Sequence, residues 1–98
     1  MIGKYILDEN GEPKEVSMEE WGYWMETAQR HVAEDDIGDV WVSTVFLGLD
    51  RNFGAEGPPV LWETMIFGGE HNDYQDRYTS RESALEGHQR ALRMVTDG

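Results

Sequence analysis

Two stretches of this chain constrain its fold more than any others. From Asp39 to Leu49 side chains favoured in strands alternate. Val40, Val42, Thr44 and Phe46 fall on one face, and Trp41, Ser43, Val45 and Leu47 fall on the other. Residues 60–67, Val-Leu-Trp-Glu-Thr-Met-Ile-Phe, form a matching strand rich in β-branched and aromatic residues. Strands of this kind cannot stand alone in water, so the rest of the chain has to cover at least one of their faces.

The flanking segments supply that cover. Lys4-Tyr5-Ile6-Leu7 reads as a short first strand closed by Asp8-Glu9-Asn10-Gly11, where Asn-Gly tolerates positive φ at both turn positions. Glu12–Val16 is a return strand or loop, because Pro13 confines it to an edge. Ser17-Met18-Glu19-Glu20 has the form of a capping box, and Met18, Trp21, Met25, Ala28 and Val32 advance by three, four, three and four. That spacing predicts a helix over 18–34. Glu34, Asp35 and Asp36 would oppose its macrodipole and are assigned to the exit loop.

Gly68–Asp73 reads as a turn and Tyr74–Tyr78 as a short strand. Thr79-Ser80-Arg81-Glu82 repeats the capping-box form, and Ala84, Leu85, His88, Ala91, Leu92 and Val95 stripe a second helix. The order β-α-β-β-β-α predicts an α+β fold: an antiparallel sheet of three to four strands with two helices on one face. Its 98 residues form a single domain, 1–98. The sheet face away from the helices would stay uncovered although it carries large apolar side chains, so a homodimer is expected.

Composition removes whole classes of chemistry. There is no cysteine, hence no disulfide, thiolate nucleophile or iron–sulfur cluster. Twenty acids against eight bases give a net charge of −12, and residues 1–39 hold eleven of the acids but three of the bases. Such a field repels nucleic acid and anionic membranes; it either attracts basic protein surfaces or serves only to keep a small, Trp-rich protein soluble. No apolar run reaches the roughly 18 residues that cross a bilayer, and Met1–Tyr5 carries no secretory core, so the cytoplasm is the expected location.

Catalytic motifs are also missing. Ser43, Ser80 and Ser83 lack a Gly-x-Ser-x-Gly setting, and Gly54–Gly57 lacks the Lys-Ser/Thr ending of a phosphate loop. His71 with Glu70, Asp73 and Asp76 is the one local imidazole–carboxylate cluster, but its spacing matches no zinc pattern. His88 on the second helical stripe reads as a core-edge imidazole, and His31 as a surface partner of Glu34 or Asp35. No metal or cofactor is expected.

Two groups of residues invite a binding role. Glu63 stands mid-strand between Trp62 and Thr64, where it needs either a cross-strand partner such as Arg77 or a ligand. In the long connection 50–59, Asp50, Arg51 and Asn52 offer hydrogen bonds, Phe53 an aromatic plane, and Pro58-Pro59 a stiff return. That connection reads either as a recognition loop or as a solvent-exposed tip. Four tryptophans, Trp21, Trp24, Trp41 and Trp62, exceed what so small a core encloses, which places at least one at an interface.

The segment from Gly38-Asp39-Val40-Trp41-Val42-Ser43-Thr44-Val45-Phe46-Leu47-Gly48-Leu49-Asp50, through Asn52-Phe53-Gly54 and Pro58-Pro59, to Trp62-Glu63-Thr64-Met65-Ile66-Phe67-Gly68-Gly69 resembles a family of small uncharacterised bacteriophage and prophage proteins. Lys4–Leu7 and Arg77-Tyr78-Thr79 fit the same pattern. The resemblance implies a phage accessory protein in the bacterial host cytoplasm, and it carries no catalytic residue with it. The expected function is non-enzymatic: the protein binds and inhibits or sequesters a host defence component. The acidic helix and its exit, Glu19, Glu26, Glu34, Asp35 and Asp36, would meet a basic host protein, or Asp50, Arg51, Asn52 and Phe53 would capture a small nucleotide-like ligand. The alternatives are a small metal-dependent hydrolase and a minor virion protein.

Overall fold

The computed structural model describes residues 2–52 and 56–97. Its elements run β1 (Tyr5–Leu7), β2 (Pro13–Glu15), α1 (Met18–Thr27), β3 (His31–Ile37), β4 (Val40–Phe46), β5 (Trp62–Phe67), β6 (Gln75–Tyr78) and α2 (Arg81–Asp97). The class is α+β. β1 and β2 form a two-stranded hairpin, and β3-β4-β5-β6 form an antiparallel four-stranded sheet in which every strand pairs with its sequence neighbour.

The first helix is shorter than its apolar spacing predicts. Ser17 caps it, its hydroxyl accepting from the Glu20 N–H at 3.2 Å. Ala28 ends it with an extended backbone (ψ 139°), and its N–H donates to the Trp24 carbonyl. Residues 31–37 are a strand, which corrects the assignment of Glu34, Asp35 and Asp36 to a helix exit. The cause is the turn that follows. Gly38 has φ +62° and Asp39 does not share its positive φ, the pattern of a two-residue type II′ hairpin that pairs Ile37 with Val40. That turn draws three poor strand formers into register with β4: Glu34 faces Ser43, Asp35 faces Val42, and Asp36 faces Trp41.

Helix α2 lies across one face of the sheet and packs against all four strands. Ser80 caps it by accepting from the Ser83 N–H at 3.0 Å. Beneath it lie Val42 and Ile66 with Ala91, and Phe46, Leu61, Trp62 and Tyr78 with Ala84. Helix α1 rests on β1 and reaches the same core at its end, where Trp24 meets Phe46 edge-on at 5.9 Å. Trp21 Nε1 donates to the Gly48 carbonyl at 2.9 Å, which anchors α1 to the end of β4.

Two buried features hold α2 to the sheet. Gly87 leaves room for the Tyr78 ring, since a Cβ built there would coincide with the Tyr78 hydroxyl and two of its ring carbons. One residue along, His88 is 1% exposed and sits in a polar chain. Its Nε2–H donates to Asp35 Oδ2 at 2.8 Å, its Nδ1 lies 2.7 Å from Thr44 Oγ1, and that hydroxyl lies 2.6 Å from Thr64 Oγ1. With Nδ1 as acceptor, the Thr44 and Thr64 hydroxyls donate one after the other along the chain.

The buried phenol sets an alkaline limit on stability. Burial pushes the Tyr78 hydroxyl above its ordinary value of 10.0; the nearby Thr64 opposes the rise and Asp76 adds to it. Burial and then Asp76 raise Tyr74 in the same way. Below about pH 10 these phenols are protonated folded and unfolded, so their contribution is complete. Above it the unfolded chain ionises first, and stability falls as pH climbs toward the folded values. Urea midpoints are expected to decline only beyond about pH 10, and Tyr78→Phe to make that decline shallower. An unchanged profile in the variant would remove Tyr78 from this account.

Candidate functional site

Among the described residues no helix covers the face of the sheet opposite α2. Across it run Trp41, Ser43 and Val45 from β4, Glu63, Met65 and Phe67 from β5, Gln75 and Arg77 from β6, and His31, Glu34 and Asp36 from β3. The pairing register sets these residues side by side. Trp41 and Phe67, directly opposite each other, stack at 5.1 Å and 26°. The His31 ring lies 5.9 Å from Trp41. Phe67 is 38% exposed, and Trp41, Val45 and Met65 are half-buried. The alternation read from the sequence, with large apolar side chains on both faces, is realised as one covered face and one open face.

Glu63 finds its partners within the sheet. Arg77, opposite it on β6, donates Nε–H to Glu63 Oε2 at 2.9 Å, and Gln75 donates to the same oxygen at 2.5 Å. With its side chain 12% exposed and its carboxylate held by two donors, Glu63 serves as the cross-strand tie between β5 and β6. The open face is therefore an aromatic strip, Trp41 and Phe67 with Met65 and Val45 beside them, bounded by this polar cluster.

The three acids of β3 do not act together. Asp35 turns under α2 and accepts from His88, its side chain half in water. Glu34 and Asp36 belong to the open face. Glu34 lies 3.5 Å from His31 Nδ1, and both acids are exposed.

The long connection after β4 uses its polar groups on itself. Asp50 Oδ1 accepts from the Asn52 N–H at 2.8 Å and the Val60 N–H at 2.9 Å, which clasps the two ends of the loop. Asn52 Nδ2 donates to the Glu56 carbonyl at 3.2 Å and the Pro58 carbonyl at 3.4 Å. Arg51 is exposed, and Phe53 lies outside the described residues. Asp50 and Asn52 thus shape the loop, a role their position before a Gly/Pro-rich turn foreshadows.

Comparison with protein-family models, curated proteins and solved structures finds no match.

One further feature fills out the surface of the molecule. Ile6, Tyr23, Trp24 and Thr27 line an apolar groove of about 520 Å³ between β1 and α1, with Glu19 and Glu20 at its rim. Tyr23 stands 82% exposed beside it. Among the described residues no three His, Cys, Asp or Glu side chains converge in a way that could hold a metal ion, and no helix is long and apolar enough to cross a membrane. Sequence reading passed over the Asp35–His88–Thr44 chain because its members are 44 and 53 residues apart. The available signal was a pair of threonines, Thr44 and Thr64, at inward positions of two strands, which require a polar partner on the covering helix.

Proposed function

We propose that this chain is a non-catalytic accessory protein of a bacteriophage that binds a protein of its bacterial host and inhibits it. The open face of the sheet is the working surface. The observation that carries the reading is the stacked Trp41–Phe67 pair, part-exposed on the two inner strands of an uncovered sheet face. Trp is the residue most enriched among side chains that dominate binding energy, and exposed aromatic strips with a polar border mark interaction surfaces. The phage setting and the host cytoplasm come from the resemblance of residues 38–69. The net charge of −12 favours a basic partner and speeds encounter with it. Capture of a nucleotide-like ligand by the 50–59 loop has less support, because Asp50 and Asn52 are engaged inside the loop.

The test removes the two rings. Trp41→Ser with Phe67→Ser should cost about 1–3 kcal/mol of stability, since neither ring lies in the core under α2. The same change should lower retention of host proteins on the immobilised chain at least tenfold. Tyr23→Ser, on α1 and outside the open face, should leave retention unchanged. Equal retention by all three proteins would refute the open face as the working surface. A second copy of the chain is the competing occupant. Two chains of −12 repel, so dimerisation should strengthen as salt rises, whereas a basic partner should be released.

A further inference from the structure

The sheet has two edges, and they differ. β6 is four residues long, whereas β3 runs for seven and none of the described residues pairs with its outer side. The hairpin turn fixes which backbone groups point outward there. The residues flanking a two-residue turn exchange both hydrogen bonds, so Ile37, Asp35 and Ala33 bond to β4. The N–H and C=O of Glu34 and Asp36 then face outward. Their carboxylates stand on the open face beside Trp41 and have no Lys or Arg partner among the ion pairs of the described residues.

We propose that β3 is a strand-addition edge for an extended segment of a partner protein that carries Lys or Arg at alternate positions. The segment lies alongside β3, exchanges backbone hydrogen bonds with Glu34 and Asp36, and sets one cation directly opposite each carboxylate. This rests on the reading of the open face as the working surface and names what enters it: the added strand widens that face by one strand next to the Trp41–Phe67 pair.

Charge decides the occupant. A second copy pairing β3 with β3 about Asp35 would place Glu34 opposite Asp36 and Asp36 opposite Glu34, with like charges directly across both contacts. Exposed charges of this kind are how edge strands avoid their own copies. A basic segment meets attraction at the same two positions. Only a strand with the right alternation gains both the backbone bonds and the ion pairs.

The probe is an acetylated, amidated peptide of about seven residues in which Lys alternates with Val, matched to the length of β3. It is titrated into the full chain while the backbone amide signals of Glu34 and Asp36 are followed. Each residue facing Glu34 or Asp36 exchanges both backbone bonds, so N-methylation of the Lys nitrogens should weaken binding about tenfold or more. N-methylation of the Val nitrogens, which face away from β3, should leave binding within about twofold. Glu34→Lys with Asp36→Lys should abolish binding of the Lys peptide and admit its Glu counterpart; both changes are at exposed positions, and circular dichroism confirms the fold.

Equal sensitivity to the two methylation patterns would overturn the proposal in favour of unspecific charge attraction. A dimer that tightens with salt and is closed through β3 would overturn it in favour of self-pairing. If the peptide fails while the Trp41→Ser, Phe67→Ser variant still loses host proteins, the edge proposal falls and the open-face reading stands. If that variant retains them, the open-face reading falls on its own evidence.

Discussion

Gly87→Ala is expected to be among the most damaging single changes in this protein, costing about 2–4 kcal/mol despite the better helix propensity of alanine. In an exposed helix the exchange would gain up to about 1 kcal/mol. Here the new methyl group would fall on the Tyr78 hydroxyl and ring. Tyr78 cannot withdraw, because it is packed among Phe46, Leu61, Trp62 and Ala84. Either α2 lifts from the sheet or the ring leaves a core that has no spare volume. Urea unfolding measures the loss. Tyr78→Phe should not relieve it, since two ring carbons also occupy the space, whereas Tyr78→Leu in the Gly87→Ala background should recover part of it. A Gly87→Ala protein as stable as the parent would show that α2 rides higher on the sheet than described.

The second large effect concerns His88. Replacing it by Ala removes a fully buried ring and leaves Thr44 without its acceptor, at an expected cost of about 2–4 kcal/mol. Asp35→Ala removes the acceptor of the buried His88 Nε2–H, but that carboxylate is half in water and a water can take its place, so the cost should be about 1 kcal/mol. Thr44→Val should fall between them, near 1–3 kcal/mol, since it strands the ring nitrogen while keeping the volume. The ordering His88, Thr44, Asp35 identifies a chain whose weight lies at its buried end. An Asp35 effect as large as that of His88 would instead make the carboxylate the anchor.

These two residues show what could be read from the sequence and what could not. The β4–β5 pair and α2 were legible because local rules and tertiary packing agree there: alternation for the strands, a Ser cap and an apolar stripe for the helix. β3 was not legible. Ala28 and Val32 continue the helical spacing of Met18, Trp21 and Met25, yet Ala28 is the cap and Val32 reaches the core from a strand. The deciding signal was the Ile-Gly-Asp-Val step at 37–40, a hairpin turn whose effect on Glu34–Asp36 outweighs their poor strand propensity. The open face followed from the alternation alone. Its inner divisions, Glu63 held by Arg77 and Gln75 and the rings of Trp41 and Phe67 left free, depend on the pairing register, which no single segment contains. Asp50 and Asn52 have the chemistry of ligand-binding groups and the positions of loop-closing ones, and only the fold separates the two roles.

The neighbour-to-neighbour order of β3-β4-β5-β6 also has a kinetic side. Each pairing closes a short stretch of chain, so the meander can assemble one hairpin at a time without a distant search, the regime in which small proteins fold quickly. The amino-terminal hairpin and α1 are fastened differently, through Tyr5 and Trp21 to the carbonyl of Gly48 and through Gly3 to Asp50. Those clasps span more than twenty residues and no residue of α1 is fully buried, so residues 2–27 are expected to dock last and open first, an order that amide hydrogen exchange reads directly.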